Sequence, residues 1–327
     1  MRILCLWALF PGFIPSAFLP QTCAALSAER VTARSPAKYH KASSVKWLVK
    51  SSSHFKIHHQ SAWAPSGLTL ELEKIHGRMR AHMAMFAPWM AVEKVGIYVY
   101  SSRRRYLAGE FSPPQWSKGI ANYRKKLIAV YDTGDRGKLT AVITHELAHL
   151  FFESFYGEAS AVPPPWLSEG LAVMMEDAAS GRKADSPWSS ALKSWSPKRI
   201  IPLDVFFNSR VEESFSKQQV ENWYLQAYGM VKYLYAKHGM RLSFIKFCRV
   251  LRDGEQPEKA LSEVYKVRSL RDLEKEWTAW IVRQRTAGKA GVSLTGPQFG
   301  GVRLPGFLRF NFNSPSKTKK PVRKGAR

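Results

Sequence analysis

The segment Thr144-His145-Glu146-Leu147-Ala148-His149 sits inside a run whose apolar residues, Leu139, Ile143, Leu147, Leu150 and Phe151, recur at helical spacing. At 3.6 residues per turn, His145 and His149 lie about 40° apart on one helix face, close enough for two imidazoles to share one metal ion. Glu146 lies about 100° round from His145, beside such a metal rather than on it, where it can take a proton from a zinc-bound water. The apolar residues occupy the adjoining face, so one side of the helix can enter a core while the other faces a cleft.

Three fixed residues in five arise by chance about once in a hundred chains of this length, so the motif needs support. A second segment supplies it: Pro165-Trp166-Leu167-Ser168-Glu169-Gly170-Leu171-Ala172 places a carboxylate on the next helix. A catalytic zinc takes three protein ligands and keeps a fourth position for water or substrate. His145, His149 and Glu169 make that set, one zinc ion per chain. Glu153, one turn after His149 on the same rigid helix, projects along the axis away from the metal. Glu176, two turns after Glu169, is either a solvated acid or an outer partner that orients a ligand histidine.

The two segments together resemble the gluzincin metallopeptidases, specifically the peptidase MA-like group of exported bacterial proteins. Patterned similarity extends from the strand at His54 to the helix near Trp280. It includes Tyr224-Leu-Gln-Ala-Tyr228-Gly-Met-Val and Trp277. The resemblance implies an α+β, thermolysin-like zincin fold, a small mixed sheet followed by a mainly helical half that carries the zinc site. It also implies hydrolysis of peptides or proteins at one zinc. Related enzymes place a tyrosine from a later helix near the metal to stabilise the oxyanion, which offers Tyr224, with Tyr228 as an alternative and plain aromatic packing as a third reading. Aminopeptidase relatives carry Gly-x-Met-Glu-Asn on the strand beside the zinc helix. The corresponding stretch here is Gly119-Ile120-Ala121-Asn122, without the glutamate, so an endopeptidase is expected rather than an aminopeptidase.

The rest of the chain fits around this site. Met1 and Arg2 precede an apolar run from Ile3 to Leu19, followed by small residues around Ala24, Ala25, Ser27 and Ala28, the layout of a secretory signal peptide over 1–28. Pro11, Gly12, Pro15 and Pro20 interrupt the run and argue against a membrane span. An extracytoplasmic location, periplasmic or secreted, follows. Residues 29–135 read as an α/β half: a strand whose His54, His58 and His59 could suggest a metal but read better as a solvated face, a helix from Leu68 to Phe86, a strand at Val95, Ile97 and Val99, and a hairpin from Gly119 to Tyr131. Residues 136–285 read as the helical zinc-binding half. Its helices run from Leu139 to Phe155, from the opening prolines Pro163, Pro164 and Pro165 to about Asp177, and from Val220 to His238, Arg241 to Arg252 and Leu270 to Arg283, with Lys183 to Pro202 as a long surface loop. Cys5 and Cys23 fall in or beside the leader, so no disulfide framework is expected, and Cys248 reads as a buried helix residue.

The formal net charge is +25. From Thr286 onward there are nine Lys or Arg and no acid, so 286–327 reads as a basic flexible tail. Such charge favours an anionic envelope polymer or lipid headgroups as a partner, ahead of nucleic acid. The runner-up to the peptidase is therefore a zinc-bearing, non-catalytic binding protein that holds anionic envelope components. The intact Glu146 speaks for the enzyme, since metal storage does not require that base.

Overall fold

Alternation of apolar and polar residues in the N-terminal half yields strands, and the computed structural model, which describes residues 46–60, 66–180, 186–212, 214–237 and 241–290, joins them in one sheet. The strands are β1 (Leu48–Ser51), β2 (Phe55–His59), β3 (Val95–Tyr100), β4 (Gly119–Asn122) and β5 (Leu127–Tyr131), in spatial order β1-β2-β3-β5-β4. The inner pairs β2–β3 and β3–β5 are parallel, whereas β1–β2 and β4–β5 are antiparallel, which makes the sheet mixed. In β4–β5, Gly119 stands opposite Val130 and Asn122 opposite Leu127, leaving the other side of β4 as a sheet edge.

One face of the sheet, with Phe55, Ile57, Ile97, Val99, Ile128 and Val130, packs into the main core with α1 (Ser66–Met83) and α3 (Arg136–Gly157). The opposite face carries a smaller cluster of Tyr98, Tyr100, Phe111 and Ala129 closed by Tyr106 of α2 (Arg103–Leu107). Burial on both faces explains why β5 is apolar throughout rather than alternating. It also corrects the solvated histidine face. His59 is buried, His58 stacks on Tyr98 with ring centroids 4.4 Å apart, and His54 Nδ1 meets Glu73 Oε2 at 2.6 Å.

The remainder is helical: α4 (Pro165–Ala179), α5 (Pro187–Ser194), α6 (Leu203–Asn208), α7 (Lys217–Ala236), α8 (Arg241–Arg252), α9 (Pro257–Tyr265) and α10 (Leu270–Ala290). Asp135 caps α3 by accepting from the Lys138 N–H, and Pro165 opens α4 at a position where its missing N–H costs nothing. The expected loop from Lys183 to Pro202 instead contains α5 and a 3₁₀ turn at Pro197–Arg199. Ser186 caps α5 through the Ser189 N–H, and Trp188, Ala191 and Leu192 bury at i, i+3, i+4 spacing, a pattern that the surrounding serines and prolines obscured. Helix α10 runs on to Ala290, past the expected start of the tail at Thr286. The leader at 1–28 and the tail beyond 290 lie outside the described residues. No helix among the described residues is long and apolar enough to cross a membrane.

Gly170 governs how α4 meets α7. A Cβ at this position would lie 2.4 Å from the Ala227 carbonyl oxygen, so the two backbones approach as only glycine allows. That approach brings Tyr224, three residues before Ala227, to Glu169, the neighbour of Gly170. Gly170→Ala is expected to cost about 1–3 kcal/mol by overpacking. Urea unfolding of the variant against the parent checks this, and an unchanged midpoint would show that α7 can retreat freely.

Candidate metal centre and active site

Helix α3 delivers His145, Glu146 and His149, and α4 delivers Ser168, Glu169 and Glu176. His145 Nε2 and His149 Nε2 face each other at 3.1 Å, with their rings 72° apart. Glu169 Oε2 stands 3.4 Å from the first of these nitrogens and 3.6 Å from the second. The structure thus brings all three expected ligands together.

The protonation pattern tells what the three atoms await. His145 Nδ1 lies 2.6 Å from Glu176 Oε1, an acceptor, so the N–H of this ring is on Nδ1 and Nε2 is left with its lone pair. His149 Nδ1 lies 2.9 Å from Ser168 Oγ, a hydroxyl able to accept its N–H, and with the proton on Nδ1 this ring too keeps its lone pair on Nε2. Two nitrogen lone pairs and a carboxylate oxygen then point into one space. Glu169 Oε2 is buried without a hydrogen-bond partner of its own. A cation satisfies all three at once, and the donor set of two imidazoles and one carboxylate fits zinc. Without a metal a proton serves instead: burial opposes charge on both imidazoles, but Glu169 and Glu176 outweigh it for His145 and Glu169 does so for His149, raising both. Burial likewise works to raise the Glu169 carboxyl, and the imidazoles of His149 and His145 override it and hold the acid well below the usual carboxylate range.

Glu146 stays outside this trio. Burial pushes its carboxyl up to about 7 against the pull of His145 and His149. Its side chain rests on the edge strand, where a Cβ on Gly119 would come within 2.6 Å of its Cγ and Oε1. Glu153 contacts only the far side of His149, with Oε1 at 4.0 Å from Nδ1, so it is not in the donor set. Tyr224 is half-buried and its hydroxyl hydrogen-bonds Glu169. Burial and the Glu169 charge raise the phenol well above its ordinary value and keep it an O–H donor. Tyr228, one turn on, is turned elsewhere, its hydroxyl donating to Asp177 Oδ2 at 2.6 Å and accepting from Lys232 Nζ at 2.7 Å.

Glu176 proves to be the partner that orients His145. Ser168, which holds His149, has no such signal in the sequence beyond its place next to Glu169, because a serine in a helix is ordinarily a neutral filler. A second group, His54, Glu73 and His76, also brings potential ligand atoms together. There, however, the imidazoles of His54 and His76 stack face to face at 3.8 Å, 17° from parallel, so their in-plane lone pairs run side by side instead of converging. His76 Nε2 is engaged with the Met90 carbonyl at 3.0 Å and Glu73 with His54, which makes this group a tie between β2 and α1.

Among curated proteins none matches the chain. Residues 81–283, from α1 to α10 and including both site segments, match the family model described as Peptidase MA superfamily. That match spans more than half of the 327 residues, and the chain belongs to the peptidase MA superfamily.

Proposed function

We propose that this chain is an exported, zinc-dependent peptidase of the gluzincin type with a thermolysin-like arrangement of its two halves. The observation that carries the reading is the convergence of His145 Nε2, His149 Nε2 and Glu169 Oε2, an oxygen that makes no hydrogen bond, with the Glu146 carboxylate near enough to feel both imidazoles but not among the donors. Zinc, when bound, supplies a Lewis acid that brings the pKa of a water to about 7 and polarises a carbonyl. Glu146 accepts the proton from the attacking water and returns it to the departing amine, a task suited to a buried carboxyl whose affinity for a proton is raised by burial and lowered by the neighbouring positive charge. Glu176 holds the His145 imidazole in the tautomer that keeps Nε2 available, and Ser168 orients the His149 ring through its Nδ1. Tyr224, held protonated, donates to the oxyanion of the tetrahedral intermediate.

Among the described residues no strand pairs with the outer side of β4, the strand that Glu146 rests on, and an extended substrate can add there as a strand. No glutamate stands between Gly119 and Asn122 to pair with a free amino terminus, so internal bonds are the expected targets. The basic charge supports association with anionic envelope polymers or lipid headgroups in addition to this chemistry. The purified chain should hold about one zinc and cleave internally quenched peptides with blocked amino termini, losing activity to a chelator and regaining it with stoichiometric zinc. Cleavage restricted to unblocked peptides would overturn the endopeptidase preference. A zinc-loaded chain inert on every peptide would overturn the enzyme and leave the binding protein for anionic components.

A further inference from the structure

The start of β4 carries a glycine that the backbone does not require. Among the described residues only Gly134 and Gly254 are glycines with positive φ, so Gly119 occupies a conformation open to any residue. Glycine weakens a strand and packs nothing, which makes its presence at a buried position a matter of space. The space belongs to Glu146: a Cβ on Gly119 would lie 2.6 Å from its Cγ, 2.6 Å from its Oε1 and 2.8 Å from its Cδ. Real Cβ contacts essentially never fall below 3.0 Å. The conflict involves the root of the side chain as well as its tip, so turning the carboxylate alone does not relieve it. Glu146 would have to change χ1, and a helix excludes one of the three wells, so the change carries the carboxylate off the strand.

Nor is the strand free to retreat. Gly119 is paired with Val130, which is fully buried, and two residues upstream the buried Ser117 Oγ is hydrogen-bonded to the buried Tyr106 hydroxyl at 2.7 Å. At its other end Tyr123 lies against Gly157 of α3, where a Cβ would meet the ring at 2.3 Å. The strand is thus pinned to the sheet, to α2 and to the last turn of the helix that carries Glu146.

We infer that Gly119 is a positioning residue for Glu146, its bare Cα forming the wall against which this carboxylate is held beside the metal ligands. The inference rests on the reading of Glu146 as the base, and it makes the missing side chain at Gly119 part of the catalytic geometry.

A double-mutant cycle on the full chain, in its metal-free form, separates this from that reading. Gly119→Ala is expected to lower Tm measurably in the parent, since a methyl forced into an occupied site destabilises the folded chain. In a Glu146→Ala background the same substitution should leave Tm unchanged or raise it, because the vacated side chain makes room for the methyl. Equal shifts in both backgrounds, or none in either, would overturn the inference. If Gly119→Ala fails to fold alone, folding of the double variant supports the contact and its failure overturns it. On blocked peptides, Gly119→Ala should reduce kcat by tenfold or more with metal content and KM near parental. A raised KM with kcat preserved would instead assign the strand to seating substrate and overturn positioning. If the parent cleaves no peptide, the proposed function falls while the Tm cycle still decides the contact.

Discussion

Glu146→Gln is expected to lower peptide hydrolysis by roughly 10²–10⁴-fold, the usual contribution of a general base, while leaving metal content at the parental level. Size and shape are kept, so the side chain still fits against Gly119, and none of the three converging donor atoms is touched. What disappears is the acceptor for a proton at the point where water must lose one. The pH profile provides a second readout. In the parent, the deprotonated carboxylate is the active form, so activity should rise through an acidic limb governed by Glu146, which burial sets at about 7 in the metal-free chain. A bound cation lowers that limb and cannot raise it, since positive charge favours the carboxylate. The residual activity of Glu146→Gln should lack the limb. Equal activity of parent and variant, measured on the same blocked peptides with metal content matched, would sink the mechanism.

The two site segments were legible in the sequence because both rest on one rule, the angular spacing of residues on a helix. His145 and His149 fall on one face by that rule, and the apolar stripe from Leu139 to Phe151 sets which face is buried. Glu169 required only that a carboxylate follow on a neighbouring helix. Where α4 crosses α3 and α7 is a matter of tertiary packing, and Gly170 settles it through a contact with Ala227, 57 positions along, that no local pattern announces. The same holds for Ser168 and for the wall that Gly119 gives Glu146. Tyr224 and Tyr228 look alike in sequence, four residues apart on one helix. They part company in the structure because Asp177 and Lys232 capture Tyr228 while Glu169 takes Tyr224. The elements missed, β1, α2, α5, α6 and α9, are all short, between four and nine residues, too brief for periodicity to stand out.

Removing a metal ligand should have the other large effect. His145→Ala, His149→Ala and Glu169→Ala each take away one of three donor atoms and leave the remaining pair without the geometry that holds a metal tightly. Outer partners set the scale: their loss costs about 10–100-fold in metal affinity, so each ligand variant should lose more than that, and Glu176→Gln and Ser168→Ala should lie within that range or below it. Glu176→Gln should exceed Ser168→Ala, because a carboxylate at 2.6 Å from His145 Nδ1 makes a charge-assisted bond and a hydroxyl at 2.9 Å from His149 a neutral one. Competition with a chromophoric chelator ranks all five. The same order should appear in thermal stability with zinc present, since a metal that binds only the folded chain adds about 2.7 kcal/mol when free metal stands at a hundred times Kd. With zinc absent the order should change. Glu169→Ala then removes the acid that most supports the charge on His149 and helps support that on His145, and leaves two imidazole nitrogens 3.1 Å apart, with Glu176 behind His145 and the more distant Glu153 behind His149. Retention of zinc by Glu169→Ala at parental affinity would remove this residue from the ligand set and shift the search to Glu153, the other acid in contact with His149.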